Sequence, residues 1–224
     1  MQFSRRLFLK NIALSPLLAT PFIWADDFIG QGNTNQTNNL NGVIDPYLTI
    51  GNFTDDKYRV FMFISYDCPI CKEVWKGMSD WGKTLPEPFK FVFVPLSKGE
   101  DTLALATQAF YVVRDIAPNK IEQFQQIAFE KAVQIKQWQE WVDILQRFIG
   151  IPATAIEASI RKSETNKRIE RARKLAQRYR VTVTPYFGVG GRYATHAGYT
   201  NGNYQVLVQL LNALVSKMIA AEMA

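Results

Sequence analysis

The two cysteines of this chain, Cys68 and Cys71, are separated by two residues in Ser65-Tyr66-Asp67-Cys68-Pro69-Ile70-Cys71-Lys72, immediately after the apolar run Val60-Phe61-Met62-Phe63-Ile64. Residues 58–65 are near-continuously apolar and rich in aromatics, which predicts a strand buried on both faces. After Cys71, the residues Val74, Trp75, Met78 and Trp81 recur at helical spacing. The pair is thus predicted to follow the C-terminal end of a strand and to open a helix. Cys68 then stands at a helix N-terminus, where unsatisfied N–H groups and the helix dipole favour an anion such as a thiolate.

A bridge between residues three apart closes a tiny loop, and because disulfide stabilisation grows with loop length, this pair contributes little to holding a large fold together. A dithiol that opens and closes is the better use of the spacing, since the second thiol can resolve a mixed disulfide formed by the first. Two other readings compete. Half a zinc site needs further ligands, and the chain offers one histidine, His196, and no third cysteine. Two inert buried thiols would demand nothing of their surroundings. A CxxC beside a strand-helix junction favours redox work over both. No metal site is expected, and no cofactor motif is present.

The N-terminus carries Ser4-Arg5-Arg6-Leu7-Phe8-Leu9-Lys10 ahead of an apolar stretch at residues 11–24. A basic segment followed by such a stretch is a secretory signal, and the paired arginines specify the twin-arginine class. The stretch contains Pro16 and Pro21 and falls short of the roughly 20 residues a membrane span needs. Ile23-Trp24-Ala25 is a poor cleavage site, so an uncleaved anchor stays open beside a removed signal. Residues 1–25 are set apart from the fold on this reading. Export by this route leads to the bacterial periplasm, an oxidising compartment that suits a redox dithiol.

Residues 30–42, GQGNTNQTNNLNG, hold a single apolar side chain. Residues 26–42 are therefore expected to form a polar flexible linker, with the folded unit at residues 43–224. Without residues 1–25 the net charge falls from +6 to +3, because Arg5, Arg6 and Lys10 leave and no acid does. That is too mild a balance to argue for nucleic acid. The remaining length, with 47% hydrophobic residues overall, suits one domain with a substantial core.

Residues 89–95, FKFVFVP, predict a second strand, giving a strand-helix-strand unit of parallel type. Residues 101–180 show no convincing strand. Helical stretches there are broken at Ala117-Pro118-Asn119 and Gly150-Ile151-Pro152, with Ser163-Glu164-Thr165 reading as a helix start, so a helical subdomain is expected. Strands resume over residues 181–189, and Gly190-Gly191 reads as a hairpin turn. Residues 204–223 predict an amphipathic helix with Val208, Leu211, Leu214, Val215 and Met218 along one face, packed on the sheet, with a membrane-surface role as the lesser reading.

Strand, CxxC at a helix start, strand, helical stretch, Val183-Thr184-Pro185, Gly190-Gly191-Arg192-Tyr193 and a final helix follow one another along the chain. In this order the chain resembles the thioredoxin fold, an α/β fold, with a helical subdomain inserted between the β-α-β half and the cis-Pro and β-hairpin half. Over residues 45–220 it is most similar to the periplasmic disulfide oxidase family called DsbA. The resemblance implies that Cys68 is the nucleophile and Cys71 the resolving thiol. It also implies that the bond before Pro185 is cis, and that Pro185 and the backbone of Thr184 shape the groove for an extended substrate segment. Reduced or unfolded client proteins and a membrane redox partner of the DsbB type are the implied partners of a monomer.

Two departures bear on redox poise. Between the cysteines stand Pro69 and Ile70, where strongly oxidising family members place a histidine at the second position; Ile70 can offer the thiolate only its backbone N–H. Asp67 directly precedes the nucleophile, and its carboxylate would oppose a thiolate if it pointed inward; a solvated or N-capping acid is the alternative. Family members also often hold a buried acid in the strand before the motif, whereas Met62 and its neighbours here are apolar. The Cys68 pKa is accordingly expected between the thioredoxin-like value of about 7 and the strongly oxidising value of about 3.5.

The remaining candidates carry bland readings. His196 lacks a motif and reads as a surface or core histidine. The basic run Lys162, Lys167, Arg168, Arg171, Arg173, Lys174, Arg178, Arg180 reads as a solvated helix face, with Ile169, Ala172, Leu175 and Ala176 turned inward and docking to acidic substrates or headgroups as the lesser reading. Phe124, Phe129, Trp138, Trp141 and Phe148 read as core of the helical subdomain. The expected function is an exported thiol:disulfide oxidoreductase that donates its Cys68–Cys71 disulfide to clients. A reductase of the same fold and a non-catalytic assembly chaperone are the rivals.

Overall fold

The computed structural model describes residues 45–97, 101–161 and 164–223. The expected export signal, the polar linker and the start of the folded unit at residue 43 lie outside the described residues, as do Lys162 and Ser163, the latter expected at a helix start. The strands are β1 (Leu48–Thr49), β2 (Arg59–Ile64), β3 (Lys90–Pro95), β4 (Tyr186–Val189) and β5 (Tyr193–Thr195). The α-helices are α1 (Pro69–Gly82), α2 (Asp101–Ile116), α3 (Ile121–Lys131), α4 (Trp138–Ile144), α5 (Ala153–Arg161), α6 (Glu164–Arg178) and α7 (Tyr204–Met223).

The strands form a single sheet in the order β1-β5-β4-β2-β3. β2 and β3 run parallel from Arg59↔Lys90 to Ile64↔Pro95, so α1 is the crossover between them. β4 pairs antiparallel with β2, and β5 antiparallel with β4 and β1. Interior placement accounts for the unbroken apolar reading of β2: Val60, Met62, Phe63 and Ile64 have no exposed surface at all. On one face, Phe91 meets the Trp81 ring of α1 at 5.9 Å. The alternate residues Phe61 and Phe63 meet Tyr179, just past α6, at 5.4 and 5.6 Å on the other. The Trp81 indole N–H donates to Asn212 Oδ1 at 3.0 Å, which ties α1 to α7.

Helices α2 to α6 occupy the stretch between β3 and β4, with no strand among its described residues. The anticipated breaks fall in place: a 3-10 turn at Pro118–Lys120, and a left-handed Gly150 at φ +80°. Phe124, Phe129 and Trp141 are buried, and Trp138 packs at the edge of the core. Phe148 departs from expectation and is 55% exposed. A π-helical turn at Leu145–Ile149 follows α4, and it turns Leu145 and Ile149 inward at the expense of Phe148. Tyr66, two residues before Cys68, sends its ring into this helical core, 5.1 Å from Phe129 and 6.2 Å from Phe124.

Gly190 and Gly191 form the hairpin turn with φ of +62° and +70°, conformations that side-chain-bearing residues resist. The strand expected over residues 181–189 is shorter than its pattern suggested. Only Tyr186–Val189 pairs, because β2 offers partners from Val60 to Phe63 and no further. Residues 181–184 are left as an irregular segment that ends in the cis Thr184–Pro185 bond.

Candidate functional site

Cys68 is the N-cap residue of α1, with extended backbone at φ −82° and ψ 112°. Pro69 occupies the first helical position, where its fixed φ suits the helix and its missing N–H is not needed. The next N–H groups then face the sulfur: Cys71 N–H donates to Cys68 Sγ at 3.2 Å. Cys71, within the first turn, is fully buried, whereas Cys68 is partly exposed. The local sequence thus produces one reachable thiol and one enclosed thiol.

The second half of the site arrives from far along the chain. Cys68 Sγ donates to the carbonyl of Thr184 at 3.2 Å. Pro185 beneath it is buried, and Val183 on the outer side is 45% exposed. Cys68, Cys71, Thr184 and Pro185 are therefore brought together.

The two thiols are shifted in opposite directions. The hydrogen bond from the Cys71 thiol, helped by the Thr184 side chain and the backbone N–H groups of Cys71 and Ile70, brings the Cys68 pKa down to about 6 against the opposing effect of burial. Bonding to Cys68 and then burial push the Cys71 thiol far above the ordinary thiol range. The value for Cys68 lies inside the interval anticipated from the sequence. The arrangement can keep a thiolate on the accessible sulfur near neutral pH while its partner stays protonated and shielded.

Asp67 is exposed, and its Oδ1 accepts a hydrogen bond from Ser65 Oγ. It does not cap the helix, since that place belongs to Cys68. Ile70 is 49% exposed and sets an apolar side chain beside the dithiol. His196 is half-buried, stacks on Tyr186 with 5.5 Å between ring centroids, and accepts the Gly198 N–H at Nδ1; burial lowers its pKa. It braces the strand that follows Pro185 and makes no hydrogen bond to either sulfur among the described residues. No cluster of three or more metal-ligating side chains occurs among the described residues.

Tyr204 escaped the reading from sequence. It opens α7 after the capping Asn203, and its hydroxyl pKa is raised by burial and by the nearby charges of Cys71 and Cys68. The Asn-capped helix start was a signal for the helix. Nothing local signalled that this helix begins beside the dithiol.

No protein-family model matches the chain. Among curated proteins, it is 25% identical over 170 residues to the thiol:disulfide interchange protein DsbA of Bordetella parapertussis, covering 72% of this chain and 77% of the relative. The DsbA of Bordetella pertussis is 24% identical over the same shares. Among solved structures, Pseudomonas aeruginosa DsbA superposes with a TM-score of 0.66 at 20% identity, over 80% of this chain and 95% of that one. Xylella fastidiosa DsbA gives 0.63 at 23%, over 78% and 96%. With the sheet and helices described above, these likenesses establish a thioredoxin fold carrying an inserted helical domain.

Proposed function

We propose that this chain, a DsbA-like thiol:disulfide oxidoreductase of the thioredoxin superfamily, introduces disulfides into reduced client proteins in the periplasm, which it reaches by twin-arginine export. The observation that carries the direction is the thiolate-favouring environment of Cys68, with its pKa near 6, beside a buried Cys71.

In the oxidised enzyme a client thiolate attacks the Cys68 sulfur, and the Cys68–Cys71 bond breaks. Its electron pair leaves on Cys71, which takes up a proton. A second client thiolate then attacks the client sulfur of the mixed disulfide, and Cys68 departs as a thiolate. The client is oxidised by two electrons and the enzyme is reduced by two. A low-pKa thiol leaves readily, so stabilising the Cys68 thiolate favours this second step and makes the disulfide the more oxidising. Thr184 offers its backbone to an extended client segment and Pro185 shapes the groove, with Pro69, Ile70 and Asp67 setting the poise. A membrane partner of the DsbB type re-oxidises the dithiol, and the enzyme acts as a monomer.

A reductase is the second reading, and Ile70 is the observation that favours it, because an apolar side chain adds nothing to thiolate stabilisation. Equilibrium titration of the couple against glutathione decides between them. A midpoint between about −120 and −180 mV supports the oxidase, and one near −270 mV gives the direction to the reductase. Mixed disulfides trapped by Cys71→Ala would identify the clients.

A further inference from the structure

The dithiol follows the C-terminal end of β2. At the start of that strand, where Arg59 stands, a cavity of about 400 Å³ opens between the sheet and helices α2 and α6. Its lining includes six cationic side chains, Arg59, Arg114, Arg168, Arg171, Lys174 and Arg178, against two carboxylates, Asp55 and Asp56. Two of the cations are already engaged: Arg178 pairs with Asp56 at 2.8 Å, and Arg168 with Asp115 at 2.8 Å. Lys174 reaches Glu170 only at 4.0 Å, and Glu170 also holds Arg173 at 3.0 Å. Arg59, Arg114 and Arg171 form no ion pair among the described residues, although they come from three separate elements.

Arg114 is the telling member. Its guanidinium is half-buried, lies 5.8 Å from the centre of the Tyr111 ring, and has its pKa lowered by burial first and by the charges of Arg168 and Arg59, against the opposing effects of Tyr111 and Asp115. Gathering like charges around a partly desolvated guanidinium is unfavourable unless an anion neutralises them. Guanidinium forks match the oxygens of a phosphate, and several forks converging on one cavity suit a group that presents three acceptor oxygens. The floor is apolar, with Val92 of β3 and Leu175 of α6 among its residues, so the ligand carries a carbon portion as well.

We propose that this cavity binds a phosphate ester, with its phosphate on Arg59, Arg114 and Arg171 and its carbon portion along Val92 and Leu175. A soluble phosphate ester and an anionic lipid headgroup share this chemistry. The site is separate from the dithiol.

The test uses the full chain at low ionic strength, with sn-glycerol 3-phosphate followed by calorimetry and sedimentation with vesicles of phosphatidylglycerol and phosphatidylcholine. Binding of the soluble ester alone assigns the site to free phosphates; vesicle binding competed by the ester assigns it to headgroups. In either case Arg114→Gln and Arg171→Gln are each expected to weaken binding about tenfold or more, the loss of one charge-assisted bond. Arg173→Gln, on the same helix but outside the cavity, is expected to change it little. Arg171 is exposed, so its variant keeps the test valid should Arg114→Gln fail to fold. Absence of binding to both probes overturns the proposal. So does equal weakening by Arg173→Gln, which would reduce the effect to general surface charge.

Discussion

Cys68 and Cys71 have the same chemistry and opposite environments, and the difference predicts a pH profile. Alkylation of Cys68 by iodoacetamide is expected to rise with a midpoint near pH 6, because the thiolate is the reacting species. A midpoint at the ordinary thiol value would contradict the network of donors around Cys68 Sγ. The position of Ile70 supplies a second expectation. Ile70→His places an imidazole dipole or cation beside the thiolate, which should lower the Cys68 pKa further and make the disulfide more oxidising. One pKa unit corresponds to about 1.4 kcal/mol, hence about 30 mV in a two-electron couple. An unchanged midpoint in the glutathione titration would show that the Cys71 thiol, Thr184 and the backbone N–H groups already set the poise.

At the scale of elements, the joint between the inserted helices and the hairpin rests on Tyr179. Its ring lies where a side chain on Gly188 would otherwise project, and its hydroxyl accepts the Gly191 N–H at 3.1 Å and reaches Asp56 at 3.4 Å. Tyr179→Phe strands a buried N–H, so urea denaturation should show a loss of about 1 to 3 kcal/mol, with the Cys68 alkylation profile intact. Helix α1, strand β3 and helix α7 were legible because each writes its burial into a local period of two or 3.6 residues, and strand β2 because burial on both faces leaves an unbroken apolar run. Strand β1 was not: it is two residues long and exists through its pairing with Tyr193 and Ala194, far away in sequence. Residues 181–184 alternate Val and Thr like a strand, yet lack partners on β2. The cysteines, Thr184 and Pro185 could be found from the chain alone. Tyr204 could not, since its place beside the dithiol depends on how α7 docks.

For the molecule as a whole, the thiolate couples redox state to stability. The Cys68 pKa of about 6 in the fold lies below the ordinary value of 9.0. The thiolate's stabilisation of the dithiol form is therefore complete above pH 9.0 and is lost as pH falls through 6. Thermal unfolding at pH 7 should show the reduced protein melting above the oxidised one, by a margin that shrinks toward pH 5. A higher melting temperature for the disulfide form would refute the oxidase assignment. The bond between Cys68 Sγ and the Thr184 carbonyl joins positions 116 residues apart. A ribosome adding roughly 5 to 20 residues per second needs on the order of ten seconds to cover that distance. Throughout that interval the nascent chain carries both cysteines without the segment that completes their surroundings. The dithiol thus lacks its Thr184 contact until the last third of the chain has been made and folded back.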